Sequence, residues 1–148
     1  MKTRIWSGAS SAPPLPIAET NASKNEDQTM TITAFGKYTA PKSTPITADL
    51  DGWKPVAGTP SMKTWIENKT ADGKFLTGFW EAMPGTYHVT YKADELIHLF
   101  EGKVTLTEDG TGKTAQFSAG DSFQIDAGFV GTWKTEERIR KIFAIRIA

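Results

Sequence analysis

The sequence has no cysteine and little histidine, and both shortages limit the chemistry open to it. None of the 148 residues is Cys, which excludes disulfides, thiolate nucleophiles and Cys-ligated metal sites. The two histidines, His88 and His98, are too few for a His-rich metal site. Reactive groups must therefore be sought among carboxylate, amine, hydroxyl and aromatic side chains.

Net charge and long apolar runs are absent as well. Seventeen basic and seventeen acidic residues cancel, so no overall field attracts nucleic acid or an anionic membrane. No apolar run approaches the ~20 residues that span a bilayer. The basic start of the chain is not followed by the apolar segment of a secretory signal. We therefore expect a cytoplasmic protein with neither nucleic-acid nor membrane partners.

Composition divides the chain into an irregular beginning and one domain, since 148 residues suffice for a single core. Residues 1–30 are rich in Ser, Ala, Pro, Asn and charge, which predicts a flexible or docked N-terminal arm. Residues 31–148 predict a single domain, with 31–60 as a Pro-rich covering segment and 61–148 as a barrel. Alternation at 31–35 predicts a short edge strand. The expected buried contacts of the covering segment are Ile46, Leu50, Trp53 and Val56.

After Pro60, short alternating runs are separated by turn sequences. The predicted strands are 63–68, 75–82, 86–91, 95–100, 103–107, 114–117, 122–125, 131–134 and 138–147. No amphipathic helical repeat lies between them, which favours an all-β sandwich or small barrel.

The spacing of Glu95 and Gly102 resembles the end of the first cupin motif, and Gly120 with Gly128 resembles part of the second. Across 78–141 the sequence is more closely similar to the cupin domain family associated with (S)-ureidoglycine aminohydrolase. That resemblance is carried by Trp80-Glu81, Pro84-Gly85, Tyr91, Glu95, His98, Glu101-Gly102, Gly120-Asp121, Gly131-Thr132-Trp133 and Arg140-Lys141. It implies a cupin-type jelly-roll β-barrel and a homodimer.

The resemblance also locates the positions at which cupins bind a metal. Counted from the motifs, these positions are Val89, Tyr91, Glu95 and Gly131. Three of the four expected ligands are missing, and one carboxylate does not hold a transition metal against water. We therefore predict no metal and no other cofactor.

Strand alternation predicts which side chains face the barrel interior. Tyr87, Val89 and Tyr91 share one face, as do Gly131 and Trp133. Lys141 has the parity of the apolar positions of the last strand, which are Ile139, Phe143, Ile145 and Ile147. A buried ammonium needs a partner, and Glu95 is the candidate. The predicted catalytic residues are Tyr91, Glu95 and Lys141, and the predicted substrate-binding residues are Tyr87, Val89, Trp133 and Trp80.

Two interpretations of this constellation stay open. In one, Glu95 and Lys141 form a structural ion pair inside a filled barrel. In the other, they line a cavity for a small polar or anionic metabolite, where Lys141 anchors an anionic group and Tyr91 or Glu95 moves a proton. The resemblance then implies a metal-independent hydrolase or lyase acting on a small ureide, amide or carboxylate. The alternative is a non-catalytic small-molecule sensor or accessory protein of a metabolic pathway.

Leu96, His98 and Phe100 lie on the face opposite Glu95 and need cover. The cover is the N-terminal arm, the Pro-rich segment or a second subunit, and the resemblance favours a homodimer. We expect His98 to be a packed, hydrogen-bonded residue rather than a ligand.

Overall fold

The structure, a computed structural model, describes residues 31–148. The predicted N-terminal arm, residues 1–30, lies outside the described residues. Phe35–Ala148 form one compact unit. No helix among the described residues is long and apolar enough to cross a membrane.

Eight antiparallel strands and no helix make up the described chain, which confirms the predicted all-β class. The strands are β1 (Trp53–Ala57), β2 (Met62–Lys69), β3 (Phe75–Ala82), β4 (Gly85–Thr90), β5 (Ala93–Glu108), β6 (Thr114–Ser118), β7 (Ser122–Ile125) and β8 (Val130–Ile147). One path of the sheet runs β1-β4-β8-β3-β2, while β5 pairs with β6, β7 and β8. The sheet curls on itself, and its alternating apolar side chains form the interior.

Two long strands, β5 and β8, connect the two sides of the curled sheet. The sequence predicted two separate strands in place of each, with a Glu-Gly turn at Gly102, and this was wrong. Gly102 instead lies in a bulged part of β5 with φ +96°, and the β5–β8 register shifts around it. A Cβ atom at Gly102 would lie 2.1 Å from the carbonyl oxygen of Arg138. Glycine here bends a continuous strand rather than ending it.

The covering segment departs from its prediction in three ways. Residues 31–35 form no strand, and Pro55 lies within β1, which is tolerated because β1 is an edge strand. Ile46 and Val56 are exposed, so their predicted burial was wrong, whereas Leu50 and Trp53 pack against the core. Val56 lies at the register shift of the β1–β4 pair, between Pro55 and Ala57.

Glu67 fastens the beginning of the covering segment to β2. Its carboxylate accepts hydrogen bonds from the backbone N–H groups of Gly36, Lys42 and Ser43 and from the Ser43 hydroxyl, at 2.7 to 3.1 Å. Partial burial alone would raise the pKa of Glu67, but these hydrogen bonds outweigh it and lower the pKa to about 2. The loop therefore depends on this carboxylate being ionised.

The outer face of β5 is partly covered by the same segment. The Tyr38 ring stacks on Phe100 with 4.4 Å between centroids, and its hydroxyl donates to Glu101 at 2.9 Å. His98 is hydrogen-bonded to Ser122 Oγ at 2.7 Å. Leu96 stays 55% exposed. The Pro-rich segment thus covers one end of this face and leaves the other open.

Candidate functional site

A cavity of about 460 Å³ lies inside the curled sheet, between the covering segment and strands β2, β3, β5 and β8. Its walls are largely apolar and include Leu50, Trp53, Ile66, Leu76, Trp80, Phe143, Ile145 and Ile147. Tyr91, Glu95 and Lys141 also line it. Asp51 and Lys92 stand on the exposed side, with 3.9 Å between carboxylate and ammonium. The cavity is therefore an apolar chamber with one polar cluster inside.

The polar cluster is built by register rather than by sequence proximity. Glu95 lies in β5, and Lys141 lies in β8 opposite both Trp80 and Leu99. Lys141 Nζ donates to Glu95 Oε2 at 2.7 Å, and the Tyr91 hydroxyl donates to Glu95 Oε1 at 2.6 Å. Both carboxylate oxygens are thus engaged.

Burial controls the protonation of this cluster. It lowers the pKa of Lys141, although the charge and hydrogen bond of Glu95 act in the opposite direction. Burial also raises the pKa of Tyr91 well above its usual value, and the negative charge of Glu95 adds to the effect. The Lys141 ammonium lies 4.4 Å from the ring centroid of Trp80 and 4.8 Å from that of Trp133, where cation–π attraction partly replaces lost hydration.

Two further polar atoms at this site have no partner among the described residues. Thr64 Oγ1 and Trp80 Nε1 are buried without a hydrogen bond, and both side chains belong to the cavity wall. A buried donor left unpaired costs about 1–3 kcal/mol, so native structures rarely leave one without a reason. Thr64 was not singled out from the sequence, because a lone Thr in a strand carries no signal of its own.

Three of the predicted substrate-binding residues do not reach the cavity. Tyr87, Val89 and Trp133 face inward as predicted, but they are completely buried in packed core. The reason is Trp53, whose ring packs against Tyr87 and Trp133 at 5.5 and 5.6 Å between centroids. Strand alternation gives the face of a side chain and not its depth, so it could not show that the covering segment fills this part of the barrel. Trp80 does line the cavity, together with Tyr91, Glu95 and Lys141.

The metal positions that the cupin resemblance implies do not suit a metal here. Val89 and Gly131 have no donor atom, and the oxygen atoms of Tyr91 and Glu95 are committed to each other and to Lys141. Within residues 31–148, no three His, Cys, Asp or Glu side chains cluster closely enough to bind an ion.

Residues 69–143 match the EutQ-like cupin domain. The chain belongs to this cupin family. The matched region contains Trp80, Tyr91, Glu95 and Lys141, whereas Trp53 and Thr64 precede it. No curated protein matches the sequence significantly.

Solved structures of several cupins have the same fold. A putative ethanolamine utilization protein EutQ from Salmonella typhimurium aligns with a TM-score of 0.55 and 19% identity, over 79% of this chain and 94% of its own. The polyketide cyclase RemF from Streptomyces resistomycificus gives 0.54 and 17%, over 79% and 81%. The EutQ protein of Clostridium difficile gives 0.53 and 20% over 61% of this chain, which spans 65% of that EutQ. At these identities the likeness establishes the fold alone, and it confirms the predicted cupin jelly roll.

Proposed function

We propose that this cupin binds a small organic molecule in the cavity, where Tyr91, Glu95 and Lys141 contact the polar end of the ligand. The proposal depends on one observation. A chamber of about 460 Å³ contains a buried ammonium–carboxylate pair, and two buried polar atoms in its wall lack partners. The volume falls within the range of roughly 300–1,000 Å³ that is typical of small-molecule sites.

The alternative of a filled barrel with a structural ion pair fits less well. In a filled barrel, neighbouring groups would pair the buried donors, because an apolar environment makes unpaired ones costly. The core is indeed tightly packed around Tyr87 and Trp133, but Trp53 and Trp80 form its boundary with the cavity. The polar cluster lies on the open side of that boundary.

The lining favours a ligand with an apolar body and a hydrogen-bond acceptor. The Trp80 indole N–H can only donate, so its missing partner must be an acceptor. Lys141 is neutralised by Glu95, so the site offers no surplus positive charge for a strong anion. A neutral ketone, aldehyde or ester suits these groups better than the small polar or anionic metabolite expected from the sequence. A ureide also brings several N–H donors, for which Glu95 has no free oxygen.

Turnover without a metal would use the same cluster for acid–base chemistry. Tyr91 and Lys141 both hold protons next to Glu95, which is positioned to exchange them. One observation favours the second function, a sensor without turnover. Glu95 Oε1 and Oε2 are both occupied, so a proton transfer through Glu95 requires a hydrogen bond of 2.6 or 2.7 Å to be exchanged first.

A thermal-shift screen on the full chain tests the binding proposal. The panel contains neutral aromatic ketones, aldehydes and esters, together with small carboxylates, amides and ureides. A ligand at 100 times its Kd stabilises the native state by about 2.7 kcal/mol, which is readily seen as a rise in Tm. We expect hits among the neutral carbonyl compounds, and quenching of tryptophan fluorescence because Trp53 and Trp80 line the cavity.

Matched variants assign any hit to this cavity. Lys141→Met should weaken binding, whereas Lys134→Met, an exposed position of the same strand, should leave it unchanged. No hit in the whole panel, or equal binding by both variants, contradicts the proposal. Conversion of a hit by the wild type, lost in Tyr91→Phe, identifies an enzyme, and binding without conversion identifies a sensor.

A further inference from the structure

We propose that Lys141 is a nucleophile that forms a Schiff base with an aldehyde or ketone bound in the cavity. This inference rests on the proposed function, since the carbonyl compound must first bind there. It adds a covalent step that binding or acid–base chemistry at the site does not require.

The surroundings of Lys141 are those that make a lysine reactive. The side chain is 3% exposed and projects into an apolar chamber with Phe143 and Trp80 in its wall. Desolvation lowers the pKa of the ammonium despite the nearby Glu95. A larger fraction of Lys141 is therefore the neutral amine than for a surface lysine, and burial of this kind is how proteins activate amines for imine formation.

Glu95 takes part in every proton transfer of the reaction, and its hydrogen bond to Lys141 is exchanged as the ammonium gives up its proton. It lies 2.7 Å from Lys141 Nζ and first accepts a proton from the ammonium. The neutral amine attacks the carbonyl carbon, so a C–N bond forms and the π electron pair of the C=O bond moves to oxygen. That oxygen takes the proton from Glu95, and the carboxylate then accepts the second proton from nitrogen to give a neutral carbinolamine.

The carbinolamine then loses water. Glu95 returns its proton to the hydroxyl group, the C–O bond breaks with release of water, and the nitrogen lone pair forms the C=N bond. The product is a protonated imine, so the site carries one positive and one negative charge before and after the reaction. Glu95 and the rings of Trp80 and Trp133, which stabilise the ammonium, stabilise the iminium cation in the same way.

The other polar groups fit the orientation of such a substrate. Trp80 Nε1 and Thr64 Oγ1 are buried, unpaired polar atoms of residues in the same wall, and we expect one of them to hydrogen-bond the carbonyl oxygen as negative charge develops on it. The lining around Lys141 is largely apolar, which favours the dehydration that completes imine formation.

Reductive trapping of the full-length protein tests this inference. Wild-type protein is incubated with limiting benzaldehyde and sodium cyanoborohydride, and the modified lysines are identified by peptide mass spectrometry. Lys134, exposed on the same strand, is an internal control within each sample. Because burial lowers the pKa of Lys141 and leaves more of it as the neutral amine, Lys141 should be labelled faster than Lys134. Excess benzyl alcohol, which has the same ring but no carbonyl, should slow labelling of Lys141 alone.

The two compounds separate failure of this inference from failure of the binding proposal. If benzyl alcohol and benzaldehyde both raise Tm but Lys141 is labelled no faster than Lys134, the cavity binds and the Schiff-base inference is wrong. If neither compound binds and Lys141 is not labelled preferentially, the inference is also wrong, and the panel screen decides the binding proposal independently. Labelling that persists at other lysines in Lys141→Met serves as the background rate.

Discussion

At the scale of single residues, the buried pair of Lys141 and Glu95 is the feature with the largest energetic consequence. The two side chains are 3% and 6% exposed and lie 2.7 Å apart. Removing one partner of a buried pair leaves a charge without compensation, which typically costs about 3–5 kcal/mol. Replacing both partners by apolar groups avoids that penalty.

We therefore expect Lys141→Met to destabilise the protein by about 3 kcal/mol or more, since Glu95 loses its counterion. The double variant Lys141→Met with Glu95→Leu should be destabilised by less than the sum of the two single variants. Urea denaturation measures the free energy of unfolding of all three. Lys134→Met should change it by no more than about 0.5 kcal/mol. Additive effects in the double variant would show that the two side chains are not coupled.

The sequence predicted which residues of this site face inward, but not which of them reach open space. The parity of Lys141 and Glu95 follows from strict alternation along their strands. Tyr87 and Trp133 are buried away from the cavity because Trp53 packs against them. Trp53 belongs to the Pro-rich segment, where the prolines argued against a strand. The lack of partners at Thr64 and Trp80 is a property of the assembled cavity and leaves no trace in local sequence.

At the scale of elements, the bulge in β5 lets one continuous strand bend and pair in two parts of the sheet. Gly102 has φ +96°, and Gly110, in the turn after β5, has φ +81°. Added Cβ atoms would meet Arg138 backbone at the first position and nothing within 4 Å at the second. Alanine substitutions at these two glycines therefore separate the energetic cost of a close contact with neighbouring backbone from the cost of the strained φ angle.

Gly102→Ala should destabilise the protein by about 3 kcal/mol or more, because the backbone must shift in addition to adopting a strained φ. Gly110→Ala should cost only the strain, about 1–2 kcal/mol. The difference in urea midpoints between the two variants measures the contribution of close approach. Equal losses would mean that the β5 bulge relaxes freely.

The hydrogen bonds of Glu67 predict a loss of stability in acid. The pKa of Glu67 is lowered to about 2 in the folded state, from 4.5 for the free side chain. Its contribution is therefore fully present above about pH 4.5 and is lost as the pH falls towards about 2. Because the group is partly solvated, we expect about 1–2 kcal/mol rather than the full value of the shift.

Glu67→Gln provides the measurement for this prediction. The difference in unfolding free energy between wild type and variant should be smaller at pH 3 than at pH 7, because the wild type loses part of the same interaction as the pH falls. Glu137→Gln, an exposed carboxylate of β8, is the matched control and should keep the wild-type pH dependence. A constant difference between Glu67→Gln and wild type from pH 7 to 3 would contradict the assignment.

Strand positions were largely predictable, whereas strand continuity was not. The predicted 75–82 and 122–125 coincide with β3 and β7, because each is bounded by turn residues. The interruption predicted inside β8 fell between Lys134 and Arg138, where Glu136 and Glu137 are exposed on a strand that continues. Alternation is lost at such places while backbone pairing is kept, so the pattern alone cannot show the connection.

At the scale of the whole molecule, the open part of the β5 outer face bears on self-association. Leu96 is 55% exposed there, beside His98. We propose, in line with the resemblance to dimeric cupins, that a second copy covers this face. Leu96→Glu should shift the full-length protein towards monomer in sedimentation velocity, because burying an unpaired carboxylate is unfavourable. Val56→Glu, at a residue 57% exposed on β1, should leave the mass unchanged. A monomeric wild type, or an unaltered Leu96→Glu, would contradict this proposal.

The all-β sandwich or barrel followed from turn spacing and from the absence of helical periodicity, both of which are spread along the chain, whereas the cupin jelly roll was implied by the resemblance of the motifs. The structure of the covering segment could not be predicted in this way. Residues 31–60 are fixed by single long-range contacts, such as Glu67 with Ser43 and Tyr38 with Phe100. Contacts of that kind depend on which side chains of the folded barrel lie next to the covering segment. A local pattern cannot encode them.

The charges around the cavity compensate each other at both depths, with Lys141 opposite Glu95 inside and Lys92 opposite Asp51 at the entrance. An approaching molecule therefore meets neither an attractive nor a repellent long-range field. Capture should proceed by unassisted diffusion, with an association rate constant that scarcely varies between low and high ionic strength in stopped-flow measurements. A steep decline of that rate with added salt would reveal an electrostatic funnel that this arrangement does not provide.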